Sequence, residues 1–200
     1  MLRTIAPYTN EMLRLLYYKS FMFPHFIYCS TVWSLKNKQS METIFKLQKQ
    51  AVRLITGSDS LAPSLQLFVR LKIVPIVFQY KINKLIMVFK SINHKAPVYL
   101  TSKFTSVSSG RATRSVDGEL LALPPYQRNS EKSFEISGAR LWNSLPVEIR
   151  RLGSVSFFKD ALKQRVLSKM KNIVEITDLW CHNCTVEHQL EVFFCEHMSL

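Results

Sequence analysis

Helical spacing punctuated by proline constrains this chain more than any other feature. Between residues 9 and 104 apolar side chains recur every three or four positions, the repeat of an amphipathic helix, and prolines fall where one stretch yields to the next. Residues 9–23 (TNEMLRLLYYKSFMF) open on the cap-type residues Thr9 and Asn10 and set Met12, Leu13, Leu16 and Tyr17 at helical spacing. Pro24 interrupts the pattern and HFIYCSTVW resumes it, which predicts two helices or one kinked helix. A clearer helix is predicted from about Met41 to Thr56, capped by Ser40 and closed by Gly57, with Met41, Ile44, Phe45, Ala51, Val52 and Ile55 as its apolar stripe. Pro63 opens a short helix through Arg70. Pro75 opens a long one, with Ile76, Phe78, Ile82, Leu85, Ile86 and Phe89 inward and Lys81, Lys84 and Lys95 outward. Pro97 starts a short turn of helix reaching Phe104.

The pattern changes after that point. SVSSGRATRSVDG reads as a Ser/Gly loop carrying Arg111 and Arg114, and LLALPPYQRN is extended because Pro124 and Pro125 exclude a helix. EKSFEIS alternates as a short strand would, and GARLWNSLPVEIRR forms an elbow around Trp142 and Pro146. Ser154 or Ser156 then caps an amphipathic helix, FFKDALKQRVLSKM, bearing Lys159, Lys163 and Arg165. The expected fold is mainly α: an irregular helical bundle with a basic loop and a short extended or β element near the C-terminal third. Four segments follow in order: a helical basic region (1–104), a basic Ser/Gly/Pro-rich loop and linker (105–130), a strand, elbow and amphipathic helix (131–172), and an acidic Cys/His tail (173–200).

Charge narrows the partners. Lys and Arg number 27 against 14 acids, a formal charge of +13, which favours a polyanion because each phosphate neutralised releases condensed counterions. Residues 171–200 hold one lysine against five acids, a net of −4, which leaves +17 on residues 1–170. In the third predicted helix Lys46, Lys49, Gln50 and Arg53 fall at i, i+3, i+4 and i+7, gathering three cations into one row. A solvated surface face accounts for that row as readily as phosphate contact does. Trp33, Trp142, Phe134 and Tyr126 are candidates to stack bases, although Trp33 and Trp142 read first as core.

Catalytic signatures are missing. The four aspartates (Asp59, Asp117, Asp160 and Asp178) stand far apart in sequence, and no phosphate-binding glycine loop, nucleophile elbow or HExxH helix is present. Cys29 lies four residues after His25, but its Phe- and Tyr-rich setting reads as that of a buried thiol. Cys181, Cys184, His188 and Cys195, spaced C-x2-C-x3-H-x6-C, form one candidate zinc set, whose second half departs from the usual knuckle spacing. Charged residues among the first twenty leave no apolar core of a signal peptide. The most apolar run, residues 21–35, is broken by Pro24 and His25 and is too short to span a bilayer. An intracellular, reducing setting, nuclear or cytoplasmic, is expected.

Five blocks together carry a resemblance. LYYKSFMFPHFIYCSTVW, IFKLQKQAVRLITG, RATRS, KSFEISGARLWNSLPVEIR and SFFKDALKQRVL are similar, in order and spacing, to the region that follows the polymerase core in non-LTR retrotransposons, the LINE-like elements of the jockey type. The similarity runs from about Arg3 to Met170, and GARLWNSLPVEIR is its most specific part. It implies a thumb-side, non-catalytic segment of an RNA-directed DNA polymerase whose paired-aspartate palm lies upstream, so no catalytic residue carries over and no cofactor is required. The partners implied are RNA, RNA–DNA hybrid or DNA, and the polymerase domain of the same parent protein, with no membrane. Lys46, Lys49, Arg53, Arg111 and Arg114 are the phosphate-contact candidates. The alternative expectations are an element-derived stand-alone nucleic-acid-binding or scaffold protein, and a relic without function.

Overall fold

A computed structural model describes residues 2–33, 38–106, 120–123 and 133–180 of the chain. The described residues are mainly helical, and their sole β pairing is an isolated antiparallel bridge between Ser106 and Leu121. Eleven α-helices occur among them: α1 (Leu2–Ile5), α2 (Glu11–Tyr17), α3 (Phe23–Ile27), α4 (Ser30–Trp33), α5 (Lys38–Thr56), α6 (Ser64–Arg70), α7 (Ile76–Ile92), α8 (Val98–Thr101), α9 (Phe134–Asn143), α10 (Val147–Arg150) and α11 (Val155–Trp180).

Proline and cap chemistry set most of these boundaries. Asn10 caps α2 by accepting the Leu13 amide on Oδ1 at 2.9 Å. Pro24 lacks the N–H that a regular helix would need. The chain bridges the gap with a π turn at Tyr18–Met22, in which Phe23 N–H donates to the Tyr18 carbonyl. The predicted break is therefore one helical run with a widened turn. Pro63, Pro97 and Pro146 each occupy the N-cap of the helix that follows, where a locked φ costs nothing and no N–H is missed. Gly57, at φ 67°, closes α5, and Ser58 N–H reaches back to the Arg53 carbonyl at 3.1 Å. Lys72 and His94 close α6 and α7 in the same left-handed way at φ 51° and 54°. The α5 helix begins at Lys38, so Ser40 lies inside it rather than at its cap.

Two expectations in the C-terminal third are corrected. The described part of EKSFEIS, residues 133–137, does not form the predicted strand: Ser133 accepts the Ile136 amide and Phe134 starts a helix. The alternating pattern is equally a helix face here, because Ile136, Ala139 and Trp142 follow at helical spacing and all are buried. The last helix also continues past Met170 to Trp180.

The chain divides into two compact units, each assembled from segments distant in sequence. Of the described residues, 2–30, 38–80 and 166–180 belong to the first, and 31–33, 81–106, 120–123 and 133–165 to the second. In the first unit the buried faces of α5 and α6 supply Val52, Ile55, Leu65 and Phe68, and Arg14 ties α2 to the Leu54 carbonyl at 2.7 Å. In the second, Phe89, Trp142 and Phe158 form an aromatic cluster, with Phe89 and Phe158 stacked at 4.5 Å and Trp142 tilted onto both. Trp142 is thus core, as expected. Gly138 lets α9 approach α7: a Cβ there would stand 2.9 Å from Val88 Cγ2. The Asn143 amide holds residue 121 as a strand edge would, exchanging two 2.9 Å bonds with the Leu121 N–H and carbonyl.

Candidate nucleic-acid interface

The cation row on α5 is divided by the packing. Lys46 is exposed, but Lys49 is only 8% exposed and its ammonium lies 4.9 Å above the Phe45 ring. Phe45 in turn stacks on Phe68 of α6, so the Lys49 stem covers an aromatic seam. Arg53 is half-buried and donates from Nε to the Ala62 carbonyl at 2.9 Å, fastening the loop between α5 and α6. The helix therefore offers one outward cation of the three. The other two hold the fold.

A fourth position on the same helix is the one that sequence reasoning missed. Gln48 is fully buried, and its amide works as a surrogate peptide group. Nε2 donates to the Tyr18 hydroxyl at 3.0 Å and the Val74 carbonyl at 3.3 Å, while Oε1 accepts Ile76 N–H at 2.7 Å. It satisfies the start of α7, where no intrahelical partner exists. Its position was readable: residue 48 falls on the stripe defined by 44, 45, 51, 52 and 55. Burial pushes the Tyr18 phenol up to about 12, with the Gln48 bond opposing. Tyr80, which donates to the Phe26 carbonyl at 2.7 Å, is also raised, by burial and then by the Tyr18 phenol.

Cations elsewhere are distributed unevenly in exposure. In the first unit Arg3, Lys19 and Lys72 are exposed, and Arg70 pairs with Glu11 at 2.5 Å. In the second, Lys95, Arg151 and Lys159 are exposed, Lys163 is half-exposed one turn after Lys159, and Lys103 pairs with Glu135. Lys84 is not outward as expected. It is 6% exposed, donates to Ser137 Oγ at 3.2 Å, and burial lowers its ammonium to about 8. The α7 helix is enclosed on more of its circumference than a single apolar stripe requires, so the lysine at position 84 is covered.

Other candidates resolve differently. Arg111, Arg114, Tyr126, Cys181, Cys184, His188 and Cys195 lie outside the described residues, as does the side chain of Trp33. Among the described residues no group of three or more His, Cys, Asp or Glu side chains is placed to hold a metal. Phe134 is half-buried and meets Phe104 edge-to-face at 5.6 Å. Cys29 is exposed rather than buried, at φ 48°, because α3 ends at Ile27 and the chain turns there. Large apolar side chains stay exposed along residues 8–28, with Tyr8 at 88%, Met12 at 79% and Tyr28 at 75%. No helix among the described residues is long and apolar enough to cross a membrane. No family model matches the chain, and no curated protein or solved structure matches it.

Proposed function

We propose that this chain is a non-catalytic, helical accessory segment of a retrotransposon-type reverse transcriptase that lies against the backbone of an RNA–DNA hybrid. The observation that carries the reading is the charge of +13, concentrated as +17 in residues 1–170. Backbone contact of this kind suits a polymerase, which must accept any sequence and so gains from phosphate rather than base contacts. Exposure favours a revised set of contact side chains. Lys46 remains a contact from the α5 row, Lys159 and Lys163 of α11 join it, and Arg111 and Arg114 are retained from the sequence. Lys49 and Arg53 act by holding α5, α6 and the intervening loop in place.

The exposed apolar side chains at residues 8–28 favour a larger assembly, in which that face rests on the polymerase domain of the same parent protein. The same face would serve a stand-alone scaffold protein, which is the second reading. A nuclear or cytoplasmic setting belongs to both. Zinc on Cys181, Cys184, His188 and Cys195 is a separate proposal that metal analysis of the purified chain decides.

Fluorescence anisotropy with a labelled RNA–DNA hybrid across a salt series tests the reading. Wild type should bind with a steep inverse salt dependence. Reversal of Lys46 to Glu should lower the slope of log K against log salt by about 1, and Lys159→Glu with Lys163→Glu by about 2. Lys49→Gln should instead lower thermal stability and leave the slope unchanged. Salt-insensitive binding, or none, discards the reading and favours the relic.

A further inference from the structure

The turn after α7 and the short helix α8 form a basic surface that the backbone reading leaves unused. Residues 81–106, the part of the second unit that contains them, hold five lysines and no Asp or Glu, so no carboxylate of that stretch repels a phosphate. Residues 93–95, 97–99 and 102–103 are exposed. Among the described residues the Lys95 side chain makes no ion pair or hydrogen bond. The Tyr99 ring is 66% exposed, without an aromatic neighbour or a hydrogen bond to its hydroxyl among those residues.

The backbone beneath this surface is fixed. His94 turns the chain in the left-handed region at φ 54°, and Lys95 N–H donates to the Lys90 carbonyl at 2.7 Å. Pro97 caps α8, and its carbonyl accepts Leu100 N–H at 2.9 Å and Thr101 N–H at 3.1 Å. Phe104, edge-to-face on Phe134 at 5.6 Å, anchors the following turn to α9. Leu100 and Phe104 take the inner positions, which leaves Val98, Tyr99 and Ser102 outward. Glu135 of α9 also reaches this stretch, but Lys103 engages it and offsets its charge.

We propose that this surface binds an unpaired nucleic-acid strand, with a base stacked on the Tyr99 ring and an adjacent phosphate on Lys95. One exposed ring is ordinary on a protein surface. Here it stands in an acid-free, lysine-bearing stretch, and a nucleic acid supplies both the flat ring face and the negative charge that such a surface selects. Lys95 and Tyr99 are four residues apart, at most about 14 Å along the chain, within the joint reach of a lysine stem and one nucleotide. A tyrosine on a firm backbone loses little conformational freedom when a base covers it. Paired bases already cover one another, and inserting a ring between them must first unstack them, so the gain falls to a strand that is single. Phe157 of α11, 70% exposed, is the comparable ring of this unit, but Asp160 lies exposed one turn further on and opposes a phosphate there. This inference rests on the nucleic-acid reading above and adds the single strand to it.

Fluorescence anisotropy compares the full-length chain on a short unstructured RNA and on a blunt RNA–DNA hybrid. Tyr99→Ala should bind the single strand about tenfold more weakly, and Tyr99→Phe, which keeps the ring, as well as wild type. Both variants should bind the hybrid as wild type does. Lys95→Gln should lower the single-strand salt slope by about 0.7, whereas Tyr99→Ala should leave that slope unchanged. Photocrosslinking to a strand that carries iodouracil, followed by peptide mass spectrometry, should place the adduct on Tyr99. Both side chains are exposed, so the variants should melt with wild type. Wild-type affinity of Tyr99→Ala for the single strand overturns the proposal, as does an equal loss on both probes. Single-strand binding that depends on Tyr99 while hybrid binding is absent keeps this site and discards the hybrid-backbone reading. Salt-dependent hybrid binding without single-strand binding does the reverse, and absence of both discards both.

Discussion

Replacing Gln48 by leucine tests the account of the first unit most directly. The side chains are similar in size, so the change removes hydrogen bonds with little change in volume. Three groups lose a partner: Ile76 N–H at 2.7 Å, the Tyr18 hydroxyl at 3.0 Å and the Val74 carbonyl at 3.3 Å. A buried donor or acceptor left unmade costs about 1–3 kcal/mol, and the long Val74 bond belongs at the low end, so the loss is about 4 kcal/mol. Burying an aliphatic group in place of an amide returns roughly 1 kcal/mol. The net destabilisation is about 3 kcal/mol, or roughly 6–12 °C in melting temperature for a chain of this length. Urea unfolding followed by circular dichroism measures it, with equal slopes for both proteins confirming that stability alone has changed. Tyr18→Phe in both backgrounds then isolates the pair, and a coupling of about 1 kcal/mol is expected. A Gln48→Leu protein as stable as wild type would refute the reasoning, because the amide would then be making no bonds that water does not replace.

Two further outcomes follow from the second unit. Gly138→Ala should destabilise by about 1 kcal/mol: helix propensity gains about 1, but a Cβ placed 2.9 Å from Val88 Cγ2 overpacks a β-branched, fully buried neighbour at a cost of about 2. Chemical denaturation reads the sign, and a more stable variant would show that α7 and α9 are not in close contact there. Lys84 should make stability rise with pH, since its folded value of about 8 lies below the unfolded 10.5 and the folded state therefore binds fewer protons between the two. The burial penalty is present in full below 8 and is relieved as pH climbs towards 10.5. Lys84→Met should abolish that rise and stabilise the protein by about 2 kcal/mol at pH 7. Melting curves are best compared between pH 7.5 and 9.5, below the range in which exposed tyrosines ionise.

Much of the local structure was legible in residues 9–104. Apolar repeats located the long helices, and Gly57 and Asn10 marked ends because their chemistry is local: a left-handed turn without a Cβ penalty, and a side-chain acceptor beside an orphan amide. Residues 131–143 were harder to assign. In EKSFEIS a short alternation satisfies a strand and a helix face alike, and the packing of Ile136, Ala139 and Trp142 against the second core selects the helix.

The interface candidates divide along the same line. Charge is additive, so the positive excess, and the weak negative tail, can be counted from composition. Exposure is decided by everything that packs around a side chain. Lys46, Lys49 and Arg53 are equivalent on a helical projection, yet Phe45 and Phe68 take Lys49, and the loop through Ala62 takes Arg53. The same distinction covers Lys84, an outward cation by spacing that the second unit encloses. What the chain determined alone is its helical, basic character, because periodicity and charge reside in neighbouring residues. Which cations remain available to an anion was decided only by the tertiary structure, because burial depends on segments far apart in sequence that meet only after folding.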